Sequence, residues 1–345
     1  MYKKAYGIIE TLAPLHVGAT AGEESGNLNL IFRDQFTQTG IIPGSSIRGR
    51  FRSEMRLCRQ TYLEQELIKK GVDFPDSLLL EIVEVLADGK QKKTSRLNWL
   101  EKKAKEAEIA VPQSINELFW YGASADSELS DSTTEARIKF EYASLLWLPV
   151  FCPGQPIVWV SSPKLLKRYQ RIAGNSKPSI KNLKSSDIDA LQYTGSSPTS
   201  KLKLLTVGEN QKKKLFFNFG VLELKKTQNL KDWFPDGKEL PAVVVADDEI
   251  GMIHDMALYR QSRVKLKKTE KLVENFFNVE ALPEGTIMVF PIAIREVNSR
   301  WQPFENGDQT DEIYLGGLES IGFGNCKIIL KNLDAENVTK SEVTA

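Results

Sequence analysis

Residues 40–52 read Gly-Ile-Ile-Pro-Gly-Ser-Ser-Ile-Arg-Gly-Arg-Phe-Arg, and no other stretch constrains the fold as tightly. Ile41 and Ile42 form a short apolar strand and Pro43-Gly44 a turn. Ser45 or Ser46 then serves as N-cap of a helix, its hydroxyl accepting from an unpaired backbone N–H. Ile47, Phe51, Met55 and Cys58 recur at helical spacing as an apolar stripe, with Arg48, Arg52, Arg56 and Arg59 as a basic stripe beside it. The helix start gathers two hydroxyls, unpaired amides, a partial positive charge and the guanidinium groups of Arg48, Arg50 and Arg52, a combination that suits a phosphate. The same residues also describe an ordinary amphipathic helix with a good cap. They do not describe a Walker-type phosphate loop. Gly44 and Gly49 have the right separation, but Arg50-Phe51 stand where a lysine and a hydroxyl are needed.

Length admits one large domain with insertions or two smaller ones: the chain has 345 residues, 41% hydrophobic and 26% charged. No apolar run approaches membrane-spanning length, and Met1-Tyr2-Lys3-Lys4 leads straight into a strand pattern, so neither a membrane span nor a signal peptide is expected. Three scattered cysteines (Cys58, Cys152, Cys326) without a CxxC pair point to a reducing compartment and away from zinc. With only His16 and His254, histidine-dependent catalysis is poorly supplied. The net charge of +1 does not announce a nucleic-acid binder, but residues 161–214 hold twelve basic and three acidic residues, a local excess of +9. A solvated lysine-rich excursion would look the same.

Read in order, residues 4–17 form a strand with Tyr6, Ile8 and Leu12 on one face, closing at Leu15-His16-Val17-Gly18. Residues 19–29 make a small, polar loop, and a short strand resumes at Leu30-Ile31-Phe32-Arg33-Asp34. The opening helix continues to about Lys70, and helices are expected over 74–87 and 94–110, joined by an Asp88-Gly89-Lys90 turn. Glu117-Leu118-Phe119-Trp120-Tyr121-Gly122 precedes a Ser/Asp-rich loop and a strand over 136–140. Residues 145–160 carry two apolar strands around a Pro/Gly turn, and 164–172 a basic helix. Residues 173–200 read as a long surface excursion and 201–224 as a basic hairpin. A buried strand at 242–246 leads to a helix over 249–259 capped by Asp247 or Asp248; strands at 262–266, 272–279 and 285–293 follow. Gly316-Gly317-x4-Gly322-x-Gly324 precedes a last strand over 327–330 and a polar tail. Its glycines allow positive φ and close backbone approach, so that amides could face phosphates.

The stretch at 43–52 resembles the PGSS-(I/L)-(K/R)-G-x-(L/F)-R signature of the RAMP superfamily, specifically the Cas7-type backbone subunits of type III CRISPR effector complexes, the Cmr4 branch first and the Csm3 branch next. Leu15-His16-Val17-Gly18, the Leu118-Phe119 element, Ala136-Arg137-Ile138, Ile157-Val158-Trp159-Val160-Ser161-Ser162-Pro163 and the glycine loop fall in the family's order, so the resemblance covers most of residues 8–330. It implies a β-hairpin thumb crossing the guide–target duplex, for which 201–224, with Lys201 and Lys203, is the candidate. It also implies an aspartate that supports metal-assisted cleavage of target RNA. Aligning on Gly26, Ile31, Arg33 and Asp34 puts Leu28 at that position, and a leucine cannot hold a cation or move a proton. Glu24 and Asp34 are the fallback acids and His16 a further candidate; Asp34 matches the family acid paired with the preceding arginine.

The expected fold is α+β: a ferredoxin-like core of the RNA-recognition type with helical and β-hairpin insertions. One RAMP domain would span residues 1–330, with insertions near 60–115 and 173–224 and a tail over 331–345; two domains split near Ser161 are the alternative. The resemblance implies a cytoplasmic RNA-binding subunit that holds guide RNA at Ser45, Ser46, Arg48, Arg50, Arg52, Gly316, Gly317, Gly322 and Gly324, spaces the target RNA, and assembles with other Cas subunits. With Leu28 in place it would not cut, and magnesium would be needed only if cleavage is retained. An active target-cleaving subunit, a Cas6-like guide-processing endonuclease and a protein-binding module without an RNA role are the competing readings.

Overall fold

Mid-strand, Gly7 lies directly under the Phe290 ring: an added Cβ would come within 2.1 Å of it. That glycine sits in β1 (Tyr2–Thr11), whose residues 5–9 are buried on both faces. In the computed structural model, which describes residues 1–18, 28–73, 81–85, 91–122, 134–207, 212–267, 272–304 and 308–333, β1 is an interior strand of the largest sheet.

The chain continues through β2 (Leu28–Asn29), β3 (Ile41–Ile42), α1 (Gly44–Lys69), β4 (Glu81–Val85), β5 (Gln91–Ser95), α2 (Arg96–Glu106), α3 (Glu117–Tyr121), β6 (Ile138–Phe140), β7 (Ala143–Cys152) and β8 (Gln155–Ser161). Then come α4 (Pro163–Ala173), α5 (Pro178–Lys181), α6 (Ser185–Asp189), β9 (Thr194–Gly195), β10 (Leu205–Val207), β11 (Lys212–Phe217), β12 (Gly220–Leu224), β13 (Lys226–Thr227) and β14 (Ala242–Val244). The last elements are α7 (Ile250–Ala257), β15 (Tyr259–Leu266), β16 (Val273–Ala281), β17 (Ile287–Arg295), β18 (Thr310–Tyr314) and β19 (Asn325–Lys331).

The large mixed sheet runs β13-β9-β14-β8-β7-β17-β1-β19-β18, with β3 added on β7. Its middle is antiparallel, and parallel pairs occur at β14/β8 and β13/β9. Smaller sheets are β10-β11-β12, β15-β16-β2 and β4-β5.

By contacts the chain divides into two compact units, and none of the breaks between their segments falls near Ser161. The first holds residues 1–3, 48–139 and 294–308. There Leu63 and Leu67 of α1 pack with Trp99, Leu100 and Ala104 of α2, and Phe51 meets the rings of Trp301 and Phe304. The second holds residues 4–47, 140–293 and 309–345. On one side of its sheet Leu146, Trp147 and Val244 pack with Leu166 and Tyr169 of α4; Trp147 also stacks on Phe234. Elsewhere in the unit, Leu145, Leu148 and Val160 pack with Leu215 and Phe217 of β11.

Several expectations are corrected. Helix α1 starts at Gly44, because the Pro43 carbonyl already accepts from the Ser46 and Ile47 amides; the serines therefore occupy the first turn instead of the cap. The segment expected as a helix over 74–87 contains strand β4, paired antiparallel with β5; Ile82, Val83 and Val85 are β-branched and favour a strand. Residues 74–80 and the 88–90 turn lie outside the described residues, as do the loop at 123–133 and residues 334–345 of the tail. Residues 173–200 are not a bare excursion: Ile180, Ile188 and Leu191 are anchors in the apolar core, and Thr194-Gly195 joins the sheet. Helix α7 has no side-chain cap, and the Asp247 carboxylate instead accepts from the Lys164 amide at the start of α4. Strand β1 stops at Thr11, after which Leu15 and His16 make single bridges to Leu282 and Gly317. Strand β18 had no apolar alternation to announce it; of its residues 310–314 only Ile313 is buried.

Candidate nucleic-acid interface

Helix α1 is positioned from both ends of its first turns. An added Cβ on Gly44 would lie 2.5 Å from the Phe140 carbonyl oxygen, so only glycine lets the helix begin this close to the 140–141 backbone. Ile47, Phe51 and Met55 are buried, and at 3.6 residues per turn this leaves Ser45, Arg48, Gly49, Arg52 and Arg56 on one other stripe.

The arginines divide into distinct roles. Arg59 is buried and its guanidinium lies 2.9 Å from the Glu117 carboxylate, with Glu101 as a second partner. Arg56 is half exposed and 3.9 Å from the same Glu117. Arg48 donates to the Tyr121 carbonyl, and Arg50 pairs with Glu54 one turn on. Burial, and then the charges of Arg48 and Arg56, lower the Arg52 pKa from its usual value, and the attraction of Glu117 does not cancel them. Sequence reasoning missed the organiser, α3. Asn116 caps it by accepting from the Leu118 and Phe119 amides, its Glu117 holds Arg59, and its Tyr121 carbonyl holds Arg48. Arg137 in turn donates to the Phe119 carbonyl at 2.6 Å and lies 3.9 Å over the Phe119 ring. A carboxylate opening an aromatic-rich segment was the available signal.

Among the described residues Gly49 has no internal reason to be glycine: its φ is not left-handed, and an added Cβ would meet none of them within 4 Å. The glycine loop splits in the same way. Gly316 (φ +78°) and Gly324 (φ +87°) are required internally, since their Cβ atoms would lie 2.2 Å from the His16 carbonyl and 2.4 Å from the Leu315 carbonyl. An added Cβ on Gly317 or Gly322 would meet none of the described residues within 4 Å; Gly322 has φ +91°. The amides of Gly317, Gly322 and Gly324 donate to His16, Glu319 and Pro14, so the expectation that they face phosphates is corrected: what this loop offers a ligand is missing side chains.

The basic hairpin is a three-stranded meander of β10, β11 and β12. Leu215, Phe217 and Leu224 turn inward; Lys212, Lys213, Phe216 and Val221 are exposed. Lys201 and Lys203 lie in the strap before β10. Lys201 is exposed in a left-handed conformation (φ 67°), while Lys203 donates its amide to Gln155 and its ammonium to the Gly154 carbonyl. Residues 208–211, at the expected tip, lie outside the described residues.

The sequence profile of the RAMP superfamily matches residues 8–327. The chain belongs to the RAMP superfamily. Solved structures agree on the fold. A chain of the type III-B Cmr-beta complex in its apo state is similar with TM-score 0.54 and 18% identity, covering 95% of this chain and 96% of that one. The same complex bound to cognate target RNA gives 0.53 and 18%, covering 95% and 97%. Oligomeric Cmr4 from Pyrococcus furiosus gives 0.52 and 15%, covering 96% and 99%. A search of curated proteins for sequence relatives found no match.

Of the remaining candidates of this RAMP chain, His16 and Leu28 meet β16. The Asp34 carboxylate accepts from the Phe36 and Thr37 amides and the Thr37 hydroxyl. Burial pushes its pKa up, but those bonds and the charge of Lys164 outweigh it and hold it below the usual range. Asp34 is thus a turn-forming group, and the expected Arg33–Asp34 pairing is corrected: Arg33 pairs with Asp255 at 3.0 Å and Glu280 at 2.9 Å. The His16 ring is buried, and its Nδ1 faces the Glu280 carbonyl at 2.6 Å; a carbonyl only accepts, so Nδ1 carries the proton. His254 Nε2 accepts from the Gly40 amide at 2.9 Å, and burial followed by the Arg33 charge pushes its pKa down to about 3. Leu28 lies in β2, whose backbone pairs in parallel with Asn278; Glu24 lies outside the described residues. For magnesium, the described residues gather no set of three His, Cys, Asp or Glu side chains that fits the ion. No described helix is long and apolar enough to cross a membrane.

Proposed function

We propose that this chain is a Cas7-type, Cmr4-like backbone subunit of a type III CRISPR ribonucleoprotein that holds guide RNA and spaces the guide–target duplex. Ser45, Ser46, Arg48, Gly49 and Arg52 meet the phosphate backbone, Gly317 and Gly322 admit it closely, and the β10–β12 meander is the thumb. Other Cas subunits and target RNA are its partners, and the cytoplasm its location. The observation that carries this reading is the open glycine at 49 on the same helical stripe as Arg48, Arg52 and Arg56 in a RAMP chain. Phosphate contact fixes register without reading sequence.

We read residues 1–330 as one RAMP domain with a ferredoxin-like centre. The order β19-β1-β17-β7, with α1 between β1 and β7, supports it. A second crossover helix between β17 and β19 is lacking among the described residues.

The subunit does not itself cut RNA, because Leu28 stands where the aspartate is expected. If Leu28→Asp in the assembled complex creates a new magnesium-dependent cut while Glu24→Ala changes nothing, this stands; loss of an existing cut in Glu24→Ala overturns it. RNA holding is tested by anisotropy with labelled oligouridine across salt. Three neutralised phosphates give a log–log slope of about −2, and a flat response would contradict the reading.

A further inference from the structure

Helix α4 places Lys164, Lys167, Arg168 and Arg171 at spacing i, i+3, i+4 and i+7, a single stripe, while Leu165, Leu166 and Tyr169 are buried. That basic stripe lines a cavity of about 390 Å³, closed across from it by the Asp34–Thr37 turn and by Tyr142. Its chemistry is uneven in an informative way. Lys167 is committed to Asp189 at 2.6 Å. Arg168 is held as a fixed fork: it donates to the Ser144 hydroxyl at 2.7 Å and the Tyr142 carbonyl at 3.2 Å, and lies 4.1 Å over the Tyr142 ring. Glu141, at 4.0 Å, is its distant counter-charge. Lys164 and Arg171 have no ion pair among the described residues. The lining acid, Asp34, is occupied by its own turn. On the tip of that turn Phe36 is 81% exposed, with the Lys164 ammonium 5.6 Å from its ring centre.

A large aromatic face left in water beside cations that outnumber the lining acid Asp34 is costly for folding and useful for a ligand that carries both a flat ring and negative charge. An acidic peptide would satisfy Lys164 and Arg171 but leave Phe36 uncovered. A nucleotide satisfies both, by base–aromatic stacking and by a guanidinium–phosphate contact. The volume falls in the range of small-ligand pockets, about 300–1,000 Å³.

We infer that this cavity is a subsite for one unstacked RNA nucleotide, its base on Phe36 and its phosphate between Lys164 and Arg171, with Arg168 as the fixed positioning cation. The inference rests on the RNA-holding reading above and adds to it a place where a base leaves the stack.

The test uses the full chain, a fluorescein-labelled 12-nucleotide oligouridine and a 5-iodouridine version for photo-crosslinking. Phe36→Ala and Arg171→Ala alter exposed side chains, and thermal melts unchanged from the parent chain establish that both fold. Phe36→Ala is expected to weaken binding about fivefold or more with the salt slope unchanged. Arg171→Ala is expected to make the salt slope shallower by about 0.7. Crosslinks are expected at Phe36 or Tyr142. Oligouridine binding by the parent chain that both variants match in affinity and slope overturns the subsite alone, as does equal competition by polyglutamate of the same charge. No oligouridine binding by the parent chain at low salt overturns the RNA-holding reading, and this inference with it.

Discussion

Replacing Gly49 with alanine separates folding from RNA holding, because the two respond with opposite sign. The position is interior to α1, its φ is not left-handed, and the new methyl meets none of the described residues within 4 Å. A glycine inside a helix is worth about 0.5–1 kcal/mol less than alanine, so Gly49→Ala gains that much, and Tm rises by about 1 °C. With RNA bound, the same methyl stands on the stripe between Arg48 and Arg52. It holds a phosphate off by about 1.5 Å, one carbon–carbon bond. A contact of about 2.9 Å becomes one beyond 4 Å, which is no longer a hydrogen bond. Losing one charge-assisted bond costs about 1.5–3 kcal/mol, a weakening of about 10- to 150-fold. Thermal melts and oligouridine anisotropy on the same preparation read both quantities. A variant that melts higher and binds RNA as tightly as the parent refutes the close-approach argument, and one that melts lower refutes the claim of open space.

Gly316→Ala is expected to lower stability by more than 2 kcal/mol, an order-of-magnitude figure for forcing a side chain into positive φ and against the His16 carbonyl; urea denaturation checks it, and an unchanged midpoint would contradict it. Glu280→Ala removes the buried carboxylate that lay 2.9 and 3.1 Å from Arg33 and Arg260 but leaves both arginines Asp255, and is expected to cost about 1–3 kcal/mol; a loss below about 0.5 kcal/mol, within the range of a surface pair, would show the network to be incidental. For His254 the folded pKa of about 3 lies below the ordinary 6.5, so the unfolded chain binds more protons between those values and stability falls as pH drops from 6.5 toward 3. The slope from this group approaches about 1.4 kcal/mol per pH unit, and His254→Gln is expected to remove that contribution; equal acid slopes in the two proteins would sink the assignment.

How legible was the fold? Strands β7 and β8, helix α4 and the β15–β16 hairpin were readable because local pattern and tertiary role agree there. The apolar run at 82–86 misled because density of apolar residues, without a polar face, does not distinguish helix from strand; β-branching at Ile82, Val83 and Val85 was the better guide. The segment 173–200 looked like a loop because its anchors, Ile180, Ile188 and Leu191, are sparse, and their burial is decided by partners such as Trp233 far along the chain.

The candidate site shows the same division at the level of single side chains. Arg48, Arg52, Arg56 and Arg59 are equivalent in the sequence, one arginine per turn. They become unequal only when α3 supplies one buried carboxylate and one carbonyl: Glu117 takes Arg59 out of solvent, and Tyr121 anchors Arg48. Two carboxylates, Glu117 and Glu101, both on Arg59, still leave a surplus among four cations, and the surplus lies beside Gly49, where the helix carries no side chain. Glycines sort by the same logic. Gly44, Gly316 and Gly324 answer to a neighbouring carbonyl within 2.5 Å, and their identity is explained by the fold alone. Gly49 and Gly317 answer to no neighbour among the described residues and to no unusual φ, so the described fold gives no reason to prefer glycine there over the more stable alanine. The proposed RNA-holding role supplies one: for Gly49, beside surplus cations, a polyanion is the partner that needs both a bare backbone and positive charge.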